Sequence, residues 1–161
     1  TKNQKLIQGV FRGETLNTPS MLCVEDYLDV LKWVDSIGGY KGTMERANNN
    51  FSIIKDWVDQ IDWLTFLCDD DANLSNTSVC LKFSNKLSEL SEDDQRSLAK
   101  SIGKTLVDEE VAFDIVNHRN APPGLRIWAG ATVESEDILR LLPWLDWAHQ
   151  KLVNKTGDKN A

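Results

Sequence analysis

Residues 115–133 contain neither Asp nor Glu, although the whole chain carries 25 of them against 18 Lys and Arg. Inside that acid-free window stand His118, Arg119 and Arg126. The planar fork of arginine binds a carboxylate or phosphate through paired hydrogen bonds, so an acidic chain that clears acids around two arginines is arranged to accept an anion. Taken singly, each arginine is explained as simply by solvation or by pairing with a distant acid. Arg126 weighs against that simpler account, because it follows Gly124-Leu125 inside an apolar run, where an unpartnered guanidinium is costly.

A second candidate is Asn17-Thr18-Pro19. With Thr18 as N-cap and Pro19 at the first helical position, a helix would present unpaired N–H groups and a partial positive charge, and Asn17 would add side-chain donors. Such an end suits a phosphate, while an ordinary cap explains the same three residues. The run Asp69-Asp70-Asp71 lacks the alternating spacing of a calcium loop and is expected to be a solvated turn. Cys23, Cys68 and Cys80 have no paired spacing, so neither a disulfide framework nor a zinc site is expected, and Cys80 is expected in the core. His149, near the end of the last helix, is expected to cap it or to favour its dipole. No phosphate-binding glycine loop, nucleophile elbow or zinc-protease motif occurs, and no complete catalytic constellation is present.

The elements that must position these groups follow from periodicity. Val24, Leu28, Leu31 and Val34 recur at steps of four and three, which predicts a helix from Thr18 to the Gly38-Gly39 stop. Met44, Ala47, Phe51, Ile54, Val58 and Ile61 predict a second. Trp63–Leu67 and Thr77–Phe83 read as strands, and Ser91 followed by three acids opens a helix through Leu106. Residues 111–116 and 125–129 read as two further strands around the Pro122-Pro123-Gly124 loop, and a last helix runs from about Ser135 to Leu152, with Pro143 kinking it or starting its second half. Strand pairs alternating with helices predict an α+β layer, a small and mostly antiparallel sheet with helices packed on one side.

Composition bounds the partners. A net charge of −7 and a pI near 4.8 repel phosphate backbones, so nucleic acid is not an expected partner. No apolar run approaches the ~18 residues needed to span a bilayer, so no membrane association is expected, and a reducing cytoplasm is the expected setting. A first residue other than Met, on a polar turn-like segment, is expected to mark a piece of a longer protein.

Taken in order, Leu16-Asn17-Thr18-Pro19-Ser20, Leu31-Lys32-Trp33-Val34, Ile37-Gly38-Gly39, His118-Arg119 and Gly124-Leu125-Arg126 resemble the C-terminal portion of the phosphoserine aminotransferases, class V pyridoxal-phosphate enzymes. The resemblance runs from about Lys5 to Leu152. It implies the small C-terminal domain of the aspartate-aminotransferase-like (fold type I) architecture, with residues 1–20 ending the large cofactor domain, 21–153 forming the small domain and its connecting helix, and 154–161 a flexible tail. It implies that Asn17 and Thr18 reach the cofactor phosphate of the neighbouring subunit of a homodimer, that His118 and Arg119 bind the substrate phosphate, and that Arg126 grips the substrate α-carboxylate. The chain departs from the family where Pro122-Pro123 replaces a glycine-rich stretch.

The implied reaction moves an amino group from glutamate to 3-phosphohydroxypyruvate, giving phosphoserine and 2-oxoglutarate in serine biosynthesis, with pyridoxal 5'-phosphate held mainly by residues outside this chain. The Schiff-base lysine also lies outside it, so no catalytic residue is assigned here and the chain alone is expected to be inactive. Two alternatives remain open: a free-standing α+β module binding a small anion or amino acid, and another class V enzyme, such as an alanine–glyoxylate or cysteine-desulfurase relative. No cysteine here lies on an exposed glycine-rich loop, as a desulfurase would need.

Overall fold

The structure is a computed structural model that describes residues 5–15 and 17–157, except for the side chains of residues 86 and 154–157. The chain divides into two compact units, residues 1–42 and 43–161. The first holds a 3₁₀ turn, Gln8–Arg12, and helix α1, Met21–Ser36. Helix α2, Gly39–Val58, begins at the end of this unit and carries into the second.

α1 starts two residues later than the sequence suggests. Its N-cap is Ser20, whose hydroxyl accepts from the Cys23 N–H at 3.5 Å. Ser20 is a good cap in extended backbone, and the Thr18-Pro19 pair lies ahead of it, where a residue preceding proline avoids the helical region. Leu16 lies outside the described residues. At the other end, Gly38 and Gly39 take φ of +99° and +66°, the left-handed turn between the two helices that a glycine adopts at little cost. α2 ends at Val58 and not at Ile61, because Gln60 N–H closes on the Trp57 carbonyl at 3.0 Å and turns the chain out of the helix.

The second unit is built on three antiparallel strands in the order β1 (Leu64–Phe66), β2 (Ser78–Phe83), β3 (Gly124–Trp128). In register, Val79 faces Ile127, Cys80 faces Arg126 and Leu81 faces Leu125. Because strand side chains alternate between faces, Val79, Leu81, Phe83, Leu125 and Ile127 are buried together, while Cys80 and Arg126 share the other, partly open face. Cys80 is therefore beside the core and not in it. Gly124 has no alternative here: a Cβ would stand 2.0 Å from the Leu81 carbonyl oxygen.

The expected strand over residues 111–116 does not form, and only Val116 bridges to Leu125. Glu110 and Asp114 take left-handed φ of +57° and +54°, which bends the segment twice and prevents an extended run. Helix α3, Glu92–Asp108, has the predicted Ser91 cap, its hydroxyl accepting from Asp94 N–H at 3.2 Å. Helix α4, Ser135–Gly157, passes through Pro143 without a break and extends beyond the expected end at Leu152. Of the predicted tail, residues 158–161 lie outside the described residues. Ile102 and Leu106 of α3, Leu145 and Ala148 of α4 and Ile54 of α2 complete the core against the sheet. Thus the fold is α+β, with a wholly antiparallel sheet among the described residues.

Two polar knots tie this unit. The Asn50 side chain, fully buried on α2, donates to the Ala129 and Val133 carbonyls at 3.2 and 2.9 Å and accepts from the Ser135 hydroxyl at 2.8 Å. Both polar atoms of the amide have partners, which is what burying it requires. The Asp146 carboxylate accepts from the indole N–H of Trp57 at 3.0 Å and of Trp63 at 2.9 Å. Among the described residues no helix is long and apolar enough to cross a membrane, and no three His, Cys, Asp or Glu side chains converge as a metal site would need.

Candidate functional site: two clefts beside one hairpin

Arg126, His118 and Arg119 lie on one hairpin-like excursion. Arg126 N–H donates to the Ile115 carbonyl at 2.7 Å and Asn117 N–H to the Gly124 carbonyl at 3.1 Å, which pins both ends of residues 118–123. The Asn117 amide adds bonds to the Pro122 carbonyl at 3.1 Å and to Leu81 at 3.3 Å. A six-residue loop held at both ends this way keeps its tip close to the sheet despite Pro122-Pro123.

Arg126 lines a cleft of about 520 Å³ with Asp114, Ser78, Phe113 and Trp128. Its Nη2 donates to Asp114 Oδ2 at 2.6 Å. So the acid that partners Arg126 comes from the edge of the acid-free window, brought round by the left-handed turn at Asp114 itself. Among the described residues the guanidinium makes no other hydrogen bond, which leaves donors for a second anion. The Asp114 side chain is 84% exposed, so the pair contributes at most ~1 kcal/mol and yields readily to a better ligand.

His118 and Arg119 sit on the exposed tip. The His118 Nδ1 accepts from Asn120 N–H at 3.2 Å and its carbonyl from Ala121 N–H at 2.8 Å, a tight local turn. Arg119 lines a separate cleft of about 240 Å³, shared with Arg96 and Lys100 of α3, and its carbonyl accepts from Arg96 Nη1 at 3.2 Å. Sequence reasoning passed over Arg96 and Lys100, because two isolated cations on a helix face carry no signal until the loop packs on them. Asn17 and Thr18 belong to the other compact unit, exposed, with the Asn17 carbonyl accepting from Thr15 Oγ1 at 2.7 Å. They precede the cap of α1 and are not part of its first turn.

His149 does not serve the helix end. Its ring stacks on Trp63, with centroids 4.3 Å apart and planes 2° from parallel, and burial pushes its pKa below the usual value, partly offset by the charges of Asp146 and Asp62.

Neither cleft contains a nucleophile next to a base, so what the arrangement can do is hold anions at two places along one hairpin. The α+β layer itself has counterparts of the same fold among solved structures. No family model matches the chain. The fold superimposes with a TM-score of 0.71 on phosphoserine aminotransferase from Bacillus circulans subsp. alkalophilus, at 22% identity over 88% of this chain and 36% of that one. It superimposes equally well, at 16% identity over 94% of this chain, on a phosphoserine aminotransferase structure recording radiation damage of its Schiff base. In sequence it is 44% identical over 149 residues to the phosphoserine aminotransferases of Methanosarcina barkeri and Methanosarcina mazei, covering 92% of this chain. The chain thus aligns with one part of these phosphoserine aminotransferases, spanning 38% of the length of the curated relatives it matches.

Proposed function

We propose that this chain supplies substrate- and cofactor-contacting groups to a pyridoxal-phosphate-dependent phosphoserine aminotransferase, which converts glutamate and 3-phosphohydroxypyruvate to 2-oxoglutarate and phosphoserine. The observation that carries the proposal is the 44% identity over 92% of the chain. Bound pyridoxal phosphate supplies the electron sink through which an amino group changes hosts, and no group in this chain replaces it. Asn17 and Thr18 suit its phosphate, being an exposed amide and hydroxyl just ahead of a helix N-terminus, neutral donors of the kind that end favours. The rest of the reading gives residues 1–20 to the end of the cofactor domain and the remainder to a small domain, in a cytoplasmic homodimer whose neighbouring subunit receives Asn17, Thr18, His118 and Arg119.

Within this reading Arg126 holds the α-carboxylate common to glutamate and phosphoserine. Its fork is pinned on one side by Asp114 and open on the other. His118 and Arg119 hold the phosphate that only one of the two substrates carries. In the full-length enzyme, Arg126→Ala should therefore slow single-turnover amino transfer from both glutamate and phosphoserine by roughly ten- to a hundredfold, the loss of one charge-assisted contact. Arg119→Ala should slow chiefly the phosphoserine reaction. Equal losses on both substrates for Arg119→Ala would remove the phosphate assignment.

A further inference from the structure

The acid-free window explains Arg126 and Arg119, but not why two more cations face Arg119 from another element. The cleft of about 240 Å³ between α3 and the segment 116–119 is lined by Arg96, Ala99, Lys100, Val116, Asn117 and Arg119, with no acid among them. Three cations around one small cleft stand out on a chain of net charge −7. The close approach of the two walls is built in: a Cβ on Gly103 of α3 would stand 2.6 Å from Val116 Cγ2, so the helix can lie against the loop only because residue 103 is glycine.

Each cation has a different state of readiness. Arg96 is held from two sides, its Nη2 paired with Glu92 Oε1 at 2.5 Å and its Nη1 on the Arg119 carbonyl at 3.2 Å. Its position is therefore fixed before any ligand arrives, and its bond to the loop sets where residue 119 stands. Lys100, one turn further along α3, and the Arg119 side chain have no ion pair among the described residues. The Asn117 amide is spent on the Leu81 and Pro122 carbonyls and serves as wall. Among the described residues the Glu92 carboxylate is the one acid bonded to the group, and three cations against one acid leave a site that suits a dianion.

We propose that this cleft is a phosphate subsite in which Arg96 and Lys100 of α3 join Arg119 in holding the phosphate of a phosphorylated amino or keto acid. The inference rests on the reading of Arg119 as a phosphate ligand and adds to it the residues that complete the charge. Arg96 acts twice, as a cation and as the strut that positions residue 119.

The test compares Arg96→Gln, Lys100→Gln and Arg119→Ala in the full-length enzyme. It measures kcat/KM with phosphoserine and with glutamate, together with inhibition by inorganic phosphate. Arg96→Gln and Lys100→Gln should each lower kcat/KM for phosphoserine about three- to tenfold more than for glutamate, the loss of a partly exposed charge-assisted contact. The inhibition constant of inorganic phosphate should rise by a similar factor. Lys100 is on the helix surface, so its variant keeps the test clear of folding defects. If Arg119→Ala loses phosphoserine selectivity while both α3 variants keep it, the subsite is overturned and the reading of Arg119 stands. If Arg119→Ala also keeps its selectivity, both fall together. Losses of equal size on the two substrates would make Arg96 and Lys100 parts of the scaffold and overturn the subsite.

Discussion

Helices α1 and α3 are 16 and 17 residues long and each begins on a serine cap, yet α3 buries Ala99, Ile102, Gly103 and Leu106 while α1 buries nothing. Their apolar residues recur with the same helical spacing. On α1 the set is left open: Met21, Leu22, Tyr27 and Val30 are all more than half exposed. The pair teaches that periodicity reports that a helix has an apolar face, and says nothing of which element covers it. In α3 the cover is β3 and α4; for α1 none of the described residues in its own unit provides one.

The sharpest way to break that contrast is to truncate one apolar residue on each helix. Leu106→Ala should cost about 3 kcal/mol in urea unfolding, since it empties a fully buried position, whereas Leu31→Ala should cost less than about 1 kcal/mol. A similar cost at both would mean that the α1 face is covered in solution. Next in size come the caps. Ser91→Ala should cost about 1 kcal/mol, because its hydroxyl bonds both Asp94 N–H and the Asp94 carboxylate. Ser20→Ala should cost less, because its single bond at 3.5 Å is at the limit of a useful hydrogen bond. Equal losses in the thermal midpoint would show the two helices to be equally anchored.

The smallest effect concerns pH and belongs to the covered unit alone. Burial holds the His149 pKa below 6.5, so as pH falls through that value the unfolded chain takes up a proton before the folded one does. Stability from this group is complete above about pH 6.5, falls below it, and stops falling once the pH is under the folded pKa. The urea midpoint should therefore drop further between about pH 7.5 and 5.5 in the parent chain than in His149→Gln. An identical drop in both would show that the stacked ring titrates as it does in water.

What was legible in the sequence followed from local rules. Ser91 with three acids behind it marks a helix start whatever surrounds it, and the alternation through Val79, Leu81 and Phe83 identifies β2 and its buried face. The failures lie where distant residues decide. Residues 111–116 have strand-like composition, and only the left-handed turns at Glu110 and Asp114 deny them the extended form. Thr18 and Ser20 are both good caps, and the choice between them depends on how the chain enters the helix. Asn50 reads as a neutral interruption of an amphipathic pattern, because its partners are about eighty residues away. The candidate clefts were legible by what the sequence omits: clearing acids from 115–133 drew attention to Arg119 and Arg126, and each of them lines a cleft. Asp114 and the α3 cations escaped notice, since their relation to those arginines exists only after folding.

The carboxylate of Asp146 has a consequence for how freely this chain can change. One oxygen serves Trp57 at the end of α2 and the other serves Trp63 just before β1. An amide in its place has one oxygen to offer and would turn an N–H₂ donor toward the second indole, which is itself only a donor. Exchange of either tryptophan for phenylalanine leaves a half-used acid in a partly buried place. The three positions form a single unit of inheritance, in which a tolerated substitution at one requires a matching substitution at another, and stepwise drift through any single change passes through a less stable protein.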